Sequence, residues 1–185
     1  MAAVIEAVGP CRMTMRRGRY AALVRAIVGQ QVSTAAARAI YERVRSAGGG
    51  YVTAERLADL KDPDLRSCGL SRQKISYVRD LTERIGDGRL RLDRMAALDD
   101  EAAVQALCEV RGVGKWTAEI FLMFVLARPD VLPIGDLGVR QGFMRVYGLR
   151  KEPSAGRMHA IAQPWRPYRS VGSWYLWRAL ETQWD

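Results

Sequence analysis

Apolar residues recur along this chain at intervals of three and four, the spacing that gives a helix one apolar face, and no segment shows the strict alternation of a half-buried strand. Residues 20–28 (YAALVRAIV) read as a helix. Residues 34–47 (TAAARAIYERVRSA) read as another, with Ala36, Ile40 and Val44 on one stripe and Ser33 or Thr34 as its cap. The linker between them is Gly29-Gln30-Gln31-Val32, and Gly48-Gly49-Gly50 ends the second helix. Short helical pieces are predicted around 53–60 and 71–85. In the latter Ile75, Val78 and Ile85 supply the apolar face, and Gly86 and Gly88 close the segment.

From Asp99, the run DDEAAVQALCEV carries acidic residues in its first turn and places Val104, Leu107 and Cys108 on one side. It stops at Arg111-Gly112-Val113-Gly114, and a further helix, KWTAEIFLMFVLA, starts at once. Continuous apolarity from Ile120 to Ala127 predicts burial nearly all round. Pro129 and Pro133 bound a loop, Asp136 opens a helix over LGVRQGFMRVYG, and Tyr168 to Trp184 reads as the last helix. The expected fold is all-α, without internal repeats or low-complexity linkers.

Composition narrows the class. A chain of 185 residues with 49% hydrophobic content can bury one core and split it into two lobes around a cleft. Lys and Arg outnumber Asp and Glu by 29 to 20, a net charge of +9 carried mainly by arginine, which favours a polyanionic partner and suits bidentate phosphate contacts. Cys11, Cys68 and Cys108 are too few and too far apart for a disulfide framework or a four-cysteine metal or iron–sulfur site. The start, MAAVIEAVGP, lacks a basic segment and a long apolar core, and no later apolar run reaches bilayer length. A reduced, cytoplasmic, non-membrane protein is expected.

The most specific feature is Leu107 to Leu122, LCEVRGVGKWTAEIFL: a helix, an x-Gly-x-Gly hairpin and a second helix. Two glycines permit a tight turn whose backbone N–H groups face outward at a helix N-terminus, where the dipole favours an anion. Such a corner grips a DNA phosphate without reading sequence, and an ordinary αα-hairpin uses the same turn.

AIVGQQVS, the GVGKWTA hairpin, LPIGDLGVRQGF around Asp136 and the late WRPYRSVGSWYLW, four motifs in the right order, together resemble the helix-hairpin-helix (HhH-GPD) DNA glycosylases, in particular the 3-methyladenine DNA glycosylase II branch. The likeness runs from about Arg19 to Trp184. It implies one HhH-GPD domain over residues 1–185, with the hairpin motif at about 101–126 and two helical lobes flanking a cleft for a flipped base. The N-terminal β-rich domain common in that branch is not expected, because only about eighteen residues precede the helical region.

Asp136 matches the family's catalytic aspartate. N-glycosidic cleavage develops positive charge on the deoxyribose, and a nearby carboxylate stabilises that charge while orienting or deprotonating water; a plain N-cap is the other reading of an Asp here. Trp116 occupies the place of the Schiff-base lysine of lyase-active relatives, so the resemblance implies monofunctional hydrolysis, with Lys115 turned another way round the helix. It also puts Trp116, Ile120 and Trp177 in the base pocket, where an electron-rich ring attracts a cationic alkylated base; core packing is the alternative for each tryptophan. The family position held here by Ile120 is often aromatic.

By the same resemblance Gln30 or Gln31 is the wedge that fills the gap left by the flipped nucleotide, against solvated linker amides as the alternative. Gly112, Val113, Gly114, Lys115 and Thr117 of the hairpin, and Arg166, Arg169 and Ser170, become phosphate contacts. The carbonyls of Arg111 and Val113 become candidate ligands of a monovalent cation, no cofactor being required and no iron–sulfur cluster expected. The implied activity is release of alkylated purines of the 3-methyladenine and 7-methylguanine type from double-stranded DNA, by a monomer associated with the nucleoid. Two alternatives stay open: a glycosylase for oxidised or deaminated bases, and a non-catalytic lesion-binding helix-hairpin-helix protein.

Overall fold

The computed structural model describes residues 1–184, which form eleven α-helices and two short 3-10 helices, with no strand among the described residues. The helices are α1 (Ala2–Val8), α2 (Arg19–Gly29), α3 (Thr34–Ala47), α4 (Ala54–Asp59), α5 (Asp62–Ser67), α6 (Arg72–Gly86), α7 (Asp100–Cys108), α8 (Lys115–Phe124), α9 (Leu137–Tyr147), α10 (Ala155–Ala162) and α11 (Arg169–Glu181). The all-α expectation holds. Ser33, not Thr34, caps α3, its hydroxyl accepting the Ala36 N–H at 3.2 Å. Asp99 caps α7 through the Ala102 N–H at 2.7 Å.

The chain divides into two compact units, Arg16–Phe121 and Met1–Met15 with the chain from Leu122 onward, so the division falls within α8. In the Arg16–Phe121 unit, α2 packs on α3 and α6, and α6 also carries α4 and α5. Its core takes Leu23, Val24, Ile27 and Val28 from α2, Tyr41 and Val44 from α3, and Ile75, Val78 and Leu81 from α6. Each such side chain, withdrawn from water, contributes roughly 1.5–3 kcal/mol before entropy is counted. The buried Tyr20 hydroxyl is satisfied by Thr82 Oγ1 at 2.7 Å.

In the other unit, α11 packs on α9 and α1. Leu132, Val139, Phe143, Met158, Ala162 and Leu176 form its main cluster, and the Phe143 and Trp165 rings stack at 5.4 Å. Val4 of α1 is fully buried with Tyr175 and Ala179. The Tyr175 hydroxyl donates to the Gly9 carbonyl at 2.9 Å.

Several sequence expectations are corrected. Helix α1 lies where no helix was expected, and the Val4, Ile5 and Val8 spacing that signals it is present in the sequence. Helix α8 ends at Phe124, not Ala127: Ala127 is left-handed (φ 56°), and the Arg128 N–H folds back to the Leu122 carbonyl at 3.0 Å. Val125 and Leu126 are only partly buried and Ala127 is exposed. Helix α11 ends at Glu181 because Thr182 is extended, with Arg145 donating to the carbonyls of Leu180 and Thr182. On α7 the buried pair is Ala103 and Leu107, while Cys108 is exposed. Helix α10, capped by Ser154, was not read from the sequence.

Candidate active site

Asp136 sits at the N-cap of α9, after a loop running from Pro129. Its Oδ1 accepts the Val139 N–H at 2.8 Å and the Trp177 Nε1–H at 2.8 Å. Capping, the plainer of the two sequence readings, is therefore real, and a second donor from α11 fixes the same oxygen. The Trp177 ring lies against Phe124 at the end of α8, with centroids 5.9 Å apart. Gly138 makes this contact possible, since a Cβ there would come within 2.8 Å of Trp177 Cδ1 and 3.1 Å of Asp136 Oδ1. Phe124 and Gly138 were not singled out in the sequence. The only signal was a glycine in the first helical turn, where propensity gives no reason for one. The neighbouring Leu137 side chain is exposed.

The hairpin Arg111–Gly114 belongs to the Arg16–Phe121 unit. Gly112 has φ +81°, and a Cβ would strike the Tyr77 ring at 2.1 Å, so two separate constraints demand glycine. Asp80 of α6 anchors the approach to the turn: its Oδ2 accepts the Arg111 N–H at 2.8 Å and Arg84 Nε at 3.1 Å. Burial opposes the Asp80 charge, but the Arg111 N–H and the Arg84 guanidinium outweigh it and hold the carboxyl below the usual range. Gly114 and Lys115 are exposed at the start of α8, and a Cβ on Gly114 would meet nothing within 4 Å.

Two parts of the phosphate-grip expectation are corrected here. The Val113 N–H is spent on the Val110 carbonyl at 3.0 Å, and its side chain is buried. Thr117 is buried too, so its hydroxyl cannot reach a backbone phosphate without moving α8. The amides of Gly114 and Lys115 remain the exposed part of the corner.

The two glutamines separate. Gln30 Nε2 donates to the Gly112 carbonyl at 2.7 Å, and Lys74 Nζ donates to the carbonyls of Val28 and Gln30, each at 2.7 Å. Gln30 is thus a strut between the α2–α3 linker and the hairpin. Gln31 is exposed and holds a left-handed backbone, φ +53°, which a non-glycine residue rarely adopts.

On α8, Trp116 is 46% exposed and Ile120, one turn on, is partly buried. Lys115 Nζ lies 3.9 Å from Glu119 Oε1. Glu119 is buried, and burial pushes its carboxyl up while Lys115 draws it down.

The WRPYRS segment departs from the sequence reading. Ser170 is 1% exposed; its hydroxyl donates to the Arg128 carbonyl at 2.6 Å and accepts the Val131 N–H at 3.0 Å. Arg169 clamps Asp130 through Nε (2.7 Å) and NH2 (2.9 Å). Those hydrogen bonds hold the Asp130 carboxyl below the usual range. Both residues are consumed in fixing the loop that leads to Asp136, which removes them from the phosphate contacts. Arg166 pairs with the same carboxylate at 3.1 Å but stays 54% exposed.

For a cation at the hairpin, the Gly112 carbonyl is taken by Gln30, leaving the Arg111 and Val113 carbonyls as the oxygens at the turn. Carbonyl oxygens are hard donors, suited to such an ion. No cluster of His, Cys, Asp or Glu side chains fit for a metal occurs among the described residues. No helix there is long and apolar enough to cross a membrane.

A helix-hairpin-helix turn, a capped aspartate after it and an all-α frame define a class, and the comparisons agree with it. The sequence profile of HhH-GPD superfamily base excision DNA repair proteins matches residues 24–167. The chain belongs to that superfamily. It is similar to DNA-3-methyladenine glycosylase 1 of Schizosaccharomyces pombe, with 32% identity over 91% of this chain and 75% of that protein. It is also similar to the putative DNA-3-methyladenine glycosylase YfjP of Bacillus subtilis, with 33% identity over 88% of this chain and 59% of that one. Among solved structures, the S. pombe 3-methyladenine DNA glycosylase Mag1 in complex with abasic DNA matches with a TM-score of 0.82 and 31% identity, over 95% of this chain and 88% of that one.

Proposed function

We propose that this protein is a monofunctional DNA glycosylase of base excision repair that hydrolyses the N-glycosidic bond of alkylated purines in DNA. The observation that carries the reading is the Asp136 carboxylate, gripped at Oδ1 by the Val139 N–H and Trp177 Nε1. Similarity to proteins named DNA-3-methyladenine glycosylases, one of them solved with abasic DNA, supports the substrate class.

In this reading Asp136 faces the sugar of a flipped nucleotide, offsets the positive charge that grows as the base departs, and directs water to the anomeric carbon. An N-alkylated purine already carries positive charge, so it leaves without a strong general acid. Trp116 stands where a Schiff-base lysine would be needed, so water is the nucleophile. The half-exposed Trp116 ring is the aromatic contact to a cationic base in this reading, with Ile120 one turn on. Gln31, presented by its left-handed linker position, fills the gap in the duplex, and the Gly114 and Lys115 amides, with the exposed Arg166, hold phosphates. A monovalent cation at the Arg111 and Val113 carbonyls would add positive charge beside that grip.

A base-release assay across a panel of alkylated, oxidised and deaminated lesions in duplex DNA tests the reading. Release should be confined to the alkylated purines, and Asp136→Asn should lower it by about two orders of magnitude while leaving DNA binding within a few-fold. Borohydride should trap no covalent adduct. Near-normal release by the Asn variant, or no turnover by the wild type, would overturn the enzyme reading in favour of a lesion-binding protein.

A further inference from the structure

At the start of α2, on the Arg16–Phe121 unit, lies a hollow of about 350 Å³ that the reading above does not use, lined by Arg16, Arg17, Ala21, Ala22, Arg25 and Tyr41. Three of the six lining residues are arginines and none is acidic. The Arg25 guanidinium lies over the Tyr41 ring at 3.8 Å, which fixes its plane through cation–π attraction. Among the described residues neither Arg17 nor Arg25 has a carboxylate partner, whereas Arg45, Arg79, Arg84, Arg89 and Arg91 are each paired. Desolvation and the nearby Arg25 charge both press the Arg16 pKa down. Cations gathered in one concave site repel one another, and an anion placed among them offsets that repulsion.

We infer that this hollow is a phosphate-binding cradle, and that its occupant is a backbone phosphate of the DNA on which the enzyme acts. A fork of planar guanidiniums suits the tetrahedral oxygens of a phosphate better than a single carboxylate. The cradle opens at the N-terminal end of the eleven-residue α2, and Gln30 follows its C-terminal end. The helix length puts the two about 15 Å apart, equal to about four base-pair rises. That separation lies within the span of one duplex. The inference rests on the glycosylase reading for its ligand, while its test uses binding alone.

The test compares wild type with Arg16→Gln/Arg17→Gln and, separately, Arg25→Gln, on undamaged and lesion-bearing duplexes over a salt series, with circular dichroism and thermal melts to verify folding. Arg17→Lys serves as the charge-keeping control. Both neutral variants should bind both duplexes about tenfold more weakly at low salt, with the slope of log affinity against log salt reduced by about one. Arg17→Lys should stay near wild type, and single-turnover release at saturating protein should be unchanged. A parallel arm titrates inorganic phosphate and ADP. Unchanged DNA affinity and salt slope in folded variants would overturn the inference, and saturable ADP binding lost in those variants would then assign the cradle to a free nucleotide. If the wild type binds DNA but releases no base, the glycosylase reading fails while the cradle is still read from binding.

Discussion

Trp177 Nε1 donates a hydrogen bond of 2.8 Å to Asp136 Oδ1, joining the last helix to the N-cap of α9 across 41 residues of sequence. The tryptophan holds the carboxylate oxygen through its N–H, while its ring rests on Phe124. An oxygen held by two donors has little rotational freedom, and preorganisation of this kind lowers a barrier more than an equal charge on a mobile side chain.

Trp177→Phe keeps an aromatic ring beside Phe124 and removes the N–H. It should lower base release by roughly tenfold, the loss of about 1.4 kcal/mol of orientation, with a smaller effect on DNA binding. Gly138→Ala should act in the same direction by pressing on Trp177. Single-turnover rates on one alkylated lesion decide the matter. Wild-type rates from a folded Trp177→Phe would reduce the hydrogen bond to packing.

The two hairpin glycines should behave oppositely. Gly112→Ala forces a side chain into a left-handed position and against Tyr77, and should destabilise the fold by about 2–4 kcal/mol. Gly114→Ala has open space and no such backbone demand, so its melting temperature should stay near wild type. Folded Gly114→Ala should nevertheless bind damaged and undamaged DNA equally less well, because phosphate contacts do not discriminate bases. Normal binding by that variant would make the hairpin a structural turn only.

Gln30→Ala strips the Gly112 carbonyl of its donor and should cost about 1 kcal/mol of stability. Gln31→Gly relieves a left-handed non-glycine residue and should leave stability unchanged or raise it by up to about 1 kcal/mol. The same variant removes the proposed wedge and should lower excision. Chemical denaturation paired with excision rates separates strut from wedge; full activity in Gln31→Gly would end the wedge assignment.

Glu119 supplies a pH signature. Burial raises its carboxyl above the ordinary value of 4.5, with Lys115 as a partial counterweight. Because the folded-state value is the higher one, stability is greatest below the unfolded glutamate pKa and falls as pH rises through the folded one. Glu119→Gln should therefore raise the melting temperature at neutral pH and leave it unchanged at pH values below the ordinary one. Melts across a pH series check this. A shift of equal size at every pH would mean the amide acts through packing.

The sequence by itself determined the local architecture. Apolar spacing, Ser33, Asp99 and Asp136 at helix starts and the Gly48–Gly50 run placed α2, α3, α6, α7 and α9 to within a residue or two, because caps and amphipathic stripes are written in residues three or four apart. The hairpin turn was legible from its two glycines and Asp136 as a helix start, while the catalytic role of Asp136 came from the family resemblance. Where α8 stops was not, since Val125, Leu126 and Ala127 look helical and only the Arg128 N–H closing on Leu122 unwinds them.

Tertiary structure alone decided which polar side chains are spent. Arg169 and Ser170 resemble surface contacts in sequence, but Asp130 and the Arg128 carbonyl consume them. Gln30 and Gln31 are adjacent and chemically identical, yet one reaches Gly112, 82 positions away, while the other is turned outward by its backbone. A hydrogen bond between distant segments leaves no periodicity along the chain. Its partner is fixed only when packing brings the two segments within about 3 Å of each other.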